Sequence, residues 1–74
     1  MIDKHQIASM ISEHLQGASV EVQGDDGRHF QVDITYAGFA NKSKLQQHRM
    51  VYEALGDHMR EAIHALSINT NVPQ

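Results

Sequence analysis

The sequence predicts an α+β fold in the order α-β-β-α-β: a three-stranded mixed sheet with both helices on one face. Three observations carry that prediction. Apolar residues recur at helical spacing near the N-terminus and again from Ser43 onward. Three other segments alternate apolar and polar residues, as half-buried strands do. A Gly24-Asp25-Asp26-Gly27 run separates the first two of those segments, and its residues suit a tight turn.

The elements follow in order. Asp3 is a good N-cap, and Gln6 three residues later completes a capping-box pattern. Ile7, Met10, Ile11 and Leu15 then mark one helix face, and Gly17 supplies the stop. Ala18, Val20 and Val22 alternate with Ser19, Glu21 and Gln23. Beyond the turn, Phe30, Val32, Ile34 and Tyr36 alternate with His29, Gln31, Asp33 and Thr35, so the two strands form a hairpin with one apolar face. Ala37 to Lys42 reads as a loop, and Ser43 caps a long helix.

The stretch from Ser43 to Ser67 organises the chain. At 100° per residue, Leu45, His48, Tyr52, Leu55 and Met59 share one face of its helix, with Val51 and Ala62 on the flank. That stripe is the expected core-facing side. Gly56-Asp57 would kink the helix or divide it. A third strand, about Ile63 to Thr70, alternates Leu66 and Ile68 with Ser67 and Asn69, and Asn71 to Gln74 reads as a frayed tail. The helical connection makes strands two and three parallel neighbours through a right-handed crossover.

Composition narrows the function. The 74 residues make one domain, residues 1–74, near the lower size for independent folding. Without cysteine the chain offers neither disulfides nor thiolate ligands. No apolar run could span a bilayer and the N-terminus lacks signal-peptide features, which points to the cytoplasm. A net charge of −3 disfavours a function built on phosphate contacts alone.

No hydrolase elbow, P-loop or zinc-protease motif is present, and Asp25 and Asp26 read as turn residues, so the chain is not expected to be an enzyme. Of the six histidines, His5 and His14 read as solvated, and His48, inside the stripe, as a hydrogen-bonded core residue. Lys42, Lys44 and Arg49 gather at the helix start, either as an ordinary solvated end or as a contact for a partner or nucleic acid. His29 and His64 fall at the same end of the sheet if their strands are parallel neighbours. Simple alternation sets His29 opposite to Phe30 and His64 with Leu66. Spacing therefore leaves open both a shared ligand site and two unrelated strand-end imidazoles.

At this point the sequence resembles the BolA-like family over nearly its whole length. The resemblance rests on Val20-Glu21-Val22, His29-Phe30-Gln31-Val32, His48-Arg49-Met50-Val51-Tyr52 with Leu55, and Ile63-His64-Ala65-Leu66-Ser67-Ile68. The short turn before His29 and the Ser43-Lys44-Leu45 run are most similar to the acid-stress (IbaG/YrbA-like) branch, whereas His48-Arg49 is more like BolA itself. The resemblance implies a core similar to a class II KH fold. It also implies pairing with a monothiol glutaredoxin, either apo or through a shared [2Fe–2S] cluster held on the other side by the glutaredoxin cysteine and glutathione. The family's cluster-ligating histidine corresponds to His64. Its second ligand comes from the loop between the first two strands, where His29 is the candidate.

The sequence departs from the family pattern in having Gln47 before the helix histidine and Asn41 at a loop glycine position, and in lacking a tryptophan-containing closing segment. Asn41 can still adopt positive φ. The leading expectation is a non-enzymatic adaptor in iron–sulfur handling or iron and stress regulation, a monomer or weak homodimer when alone, with His64 and His29 as metal ligands. The alternative is a nucleic-acid-binding transcription regulator using Lys42, Lys44 and Arg49, although Ala40-Asn41-Lys42-Ser43 is not a GxxG phosphate clamp. A third reading is an interaction module that never binds metal.

Overall fold

Helix α1 spans Lys4–His14 and starts where the capping box requires. Asp3 Oδ1 accepts from the Gln6 N–H at 2.9 Å, and Gln6 Oε1 accepts from the Asp3 N–H at 2.8 Å. This structure, a computed structural model, describes residues 3–24, 29–56 and 65–74. The Gly-Asp-Asp-Gly turn beyond Gly24 therefore lies outside the described residues, as do His64 and the Met59 and Ala62 of the expected stripe.

Strands β1 (Ser19–Gln23), β2 (His29–Thr35) and β3 (Ala65–Asn71) form one sheet in the order β1-β2-β3. The β1–β2 pair is antiparallel with Val22 opposite Val32, and β2–β3 is parallel with Val32 opposite Ile68. Alternation then sorts the side chains. Phe30, Val32 and Ile34 of the central strand are buried, whereas His29 and Gln31 are exposed on the opposite face. Ile7 and Ile11 of α1, with Leu15 at its C-cap, close the core against that buried row. The outer face is polar, and on it Asn69 Nδ2 donates to Asp33 Oδ1 at 3.1 Å.

The 37–42 segment is more than a loop. A 3₁₀ turn at Ala37–Phe39 drives Phe39 into the core, fully buried, with its ring edge-on to Tyr36 at 5.2 Å. Asn41 follows with φ +66°, the left-handed backbone expected of it. The expected frayed tail is also shorter: Asn71 belongs to β3, and its carbonyl accepts from the Tyr36 N–H at 3.0 Å.

Helix α2 spans Lys44–Leu55 and starts on a second capping box, in which Ser43 accepts from the Gln46 N–H and Gln46 Oε1 from the Ser43 N–H. It ends at Gly56, whose φ of +57° with ψ of −138° only glycine adopts without strain. The described helix therefore ends where Gly56-Asp57 marked a kink or division, and residues 57–64, on which that expectation turns, lie outside the described residues.

The expected core stripe of α2 is corrected. Gln47, Val51, Ala54 and Leu55 are the buried residues, whereas Leu45 is 62% exposed and Tyr52 42%. The sheet, not the apolar count, decides which side of the helix turns inward. Gln47 takes an inward place because its amide is fully used there. Leu45 and Tyr52, seven residues apart, form an outward apolar pair instead. His48 is half-buried beside them rather than a core residue.

Candidate metal and partner-contact site

His29 opens β2, and the alternation that buries Phe30 exposes it on the polar face of the sheet. Its parallel register partner is Ala65, the first residue of β3. Sheet geometry sets such neighbours about 4.8 Å apart. Ala65 directly follows His64 in the chain, so the described backbone brings His29 alongside the strand that opens just after His64. His64 itself lies outside the described residues. Among the described residues, no group of three or more His, Cys, Asp and Glu side chains is placed to hold a metal ion.

Gly24 sits against this corner. A Cβ there would lie 2.6 Å from the His29 carbonyl oxygen and 2.7 Å from Phe30 Cδ1. Real Cβ atoms do not approach that closely, so the hairpin end needs a glycine where β1 leaves the sheet.

The three cations at the start of α2 do not form one patch. All are exposed, but five residues of helix set Lys44 and Arg49 about 140° apart around the axis. Lys44 turns toward β3, where its Nζ donates to the Thr70 carbonyl and lies 3.4 Å from Thr70 Oγ1. Arg49 turns toward the side carrying Leu45 and Tyr52. Lys42 lies on the preceding loop, whose carbonyl accepts from Gln47 Nε2 at 3.0 Å.

The residues that organise this end of the molecule escaped the sequence reading. Gln47, 6% exposed, donates to the Phe39 carbonyl at 3.2 Å and to the Lys42 carbonyl, and accepts from Thr70 Oγ1. Thr70 is 1% exposed. One amide thus ties the 3₁₀ turn, the loop, α2 and the end of β3 together. Among the described residues no buried side-chain nitrogen or oxygen lacks a partner. The available signal was spacing: Gln47 precedes Val51 by four residues and Leu55 by eight, on the buried side of the helix.

Comparison with known proteins agrees with this architecture. A family model described as BolA-like protein matches residues 4–74. The chain is 38% identical over 71 residues to Protein BOLA2 of Arabidopsis thaliana, covering 92% of this chain and 75% of that protein. It is 35% identical over 46 residues to the DNA-binding transcriptional regulator BolA of Haemophilus influenzae, covering 62% of this chain and 45% of that one. It spans only 14% and 38% of the length of two longer Arabidopsis relatives. Among solved structures, a bolA protein homologue from Coxiella burnetii superposes with a TM-score of 0.86 at 39% identity, over 99% of this chain and 94% of that one. On its sequence, its sheet order and this match along nearly its full length, the chain belongs to the BolA-like family.

Proposed function

We propose that the chain is a cytoplasmic, non-enzymatic adaptor that pairs with a monothiol glutaredoxin, apo or through a shared [2Fe–2S] cluster, in iron–sulfur handling or iron and stress regulation. The observation that carries this reading is the corner at the start of β2. There His29 is exposed and in register with Ala65, one residue beyond His64. The donor chemistry fits a cluster. Neutral imidazole is a suitable iron ligand, and histidine ligation raises a cluster's potential above that of all-cysteine sites. Two imidazoles complete only half of a four-ligand set, so the remaining ligands belong to the partner, as thiolates of the glutaredoxin and glutathione. His64 and His29 would hold the iron on this side; the cluster supplies the redox and transfer chemistry. The rigid β2–β3 ladder fixes the backbone at His29.

The test is co-purification with a monothiol glutaredoxin and glutathione under cluster-assembly conditions, read by visible absorption and circular dichroism. The His64→Ala complex is expected to lose or shift the cluster bands, and His29→Ala to shift them less. Bands unchanged by His64→Ala would show the ligand assignment to be wrong. Absence of any heterodimer, apo or holo, would remove the adaptor reading.

The name of the Haemophilus relative favours a second reading, in which this chain too binds DNA. Lys42 and Arg49 would contact phosphate, with affinity falling steeply as salt rises. The engagement of Lys44 with Thr70 and the net charge of −3 weigh against it. A titration with no salt-sensitive DNA affinity would exclude it.

A further inference from the structure

In a strand, side chains alternate between faces, and in a parallel ladder backbone groups alternate between edges. The Asn71 carbonyl accepts from Tyr36 N–H, and Asn71 is the register partner of Thr35. Residues 65, 67, 69 and 71 therefore turn their N–H and C=O groups toward β2. Leu66, Ile68 and Thr70 turn theirs away from it. Among the described residues no strand pairs with that edge. The same three residues send their side chains toward the helices, with Leu66 and Ile68 half-buried and Thr70 buried. The edge thus combines outward hydrogen-bonding groups with an apolar shoulder.

This pattern is complementary to itself. A two-fold axis at Ile68 sets Ile68 opposite Ile68, and Leu66 opposite Thr70 of the second copy. All are outward residues, so each antiparallel pair exchanges both of its N–H···O bonds. Such an interface is isologous and closes as a dimer. Charge also permits it: Ala65 to Gln74 contains no charged residue, so the join brings no like charges together although the chain carries −3 overall. One group restrains it. Lys44 Nζ sits on the Thr70 carbonyl, one of the outward acceptors. Lysine across an open edge is a common block to strand pairing.

We propose that the open edge of β3 is a self-association surface, pairing antiparallel about Ile68 with the β3 of a second copy, and that Lys44 on the Thr70 carbonyl sets how readily it pairs.

Sedimentation and amide hydrogen exchange across a concentration series test this in wild type, Lys44→Met and Lys44→Arg. Lys44→Met keeps the apolar stem and removes the charge, and it is expected to dimerise with a Kd about tenfold or more below wild type. Lys44→Arg should follow wild type. On dimerisation the Leu66 and Ile68 amides should exchange about tenfold more slowly, while those of Ser67 and Asn69, already bonded to β2, stay unchanged. Equal association of wild type and Lys44→Met would overturn the role of Lys44. A dimer with unprotected Leu66 and Ile68 amides would move the interface elsewhere, the exposed side of α2 being the obvious place. If Lys44→Met fails to fold, wild type decides alone: protection at Leu66 and Ile68 that rises toward millimolar concentration supports the pairing, and its absence overturns it.

Discussion

Thr70 and Gln47 show how much a single buried polar contact can determine. The Thr70 hydroxyl donates to the Gln47 side-chain oxygen, while the Gln47 amide nitrogen donates to two loop carbonyls. Thr70→Val keeps the shape but strips a buried acceptor of its donor, and should cost about 1–3 kcal/mol. Chemical denaturation measures this. Combined with Gln47→Leu in a double-mutant cycle, the two losses should be less than additive, because each substitution removes the same bond. This contact was not legible in advance. A glutamine flanked by Gln46 and His48 looks like any solvated helix residue until the sheet behind it supplies a hydroxyl.

At the scale of elements, α2 separates what hydropathy suggests from what packing selects. Leu45 and Leu55 belong to the same expected stripe, yet one is 62% exposed and the other 1%. Leu55→Ala should cost about 2–5 kcal/mol, and Leu45→Ala within about 0.5 kcal/mol of nothing. Thermal unfolding of the two variants distinguishes the observed helix orientation from the expected one. The end of the helix is equally specific. Gly56 is at positive φ with open space around it, so Gly56→Ala should cost about 1–3 kcal/mol through backbone strain alone. The Asp3–Gln6 capping box and the Ser43 cap, in contrast, were readable from the sequence, since capping is a local event between a side chain and the nearest free N–H groups; the structure added Gln46 as the second half of the Ser43 box.

For the whole molecule, a chain of 74 residues has little stability to spare. Among the described residues Phe39 is the largest fully buried side chain, and Phe39→Ala should cost about 3–5 kcal/mol. Small domains hold a total of about 5–15 kcal/mol, so a large drop in unfolding midpoint is expected by calorimetry. The functional consequence is a division of surfaces. Among the described residues one side of each helix and one sheet face are committed to the core, and the polar face with His29, the open edge of β3 and the outward side of α2 are among the places left to meet other molecules.

The sequence by itself determined the element order and the hairpin strands, because capping and alternation act over a few residues, and the helix between strands two and three called for their parallel pairing; the family came from the resemblance of its motifs. It also determined that His29 opens the central strand. Only the tertiary structure decided which side of α2 turns inward, that Phe39 completes the core, and that Lys44 is drawn to β3 instead of standing with Arg49. Those outcomes depend on groups far apart in the chain: the Lys44–Thr70 and Gln47–Thr70 contacts span more than twenty residues. Long-range hydrogen bonds leave no period in a sequence; they exist only once the sheet has set the strand ends beside the helix.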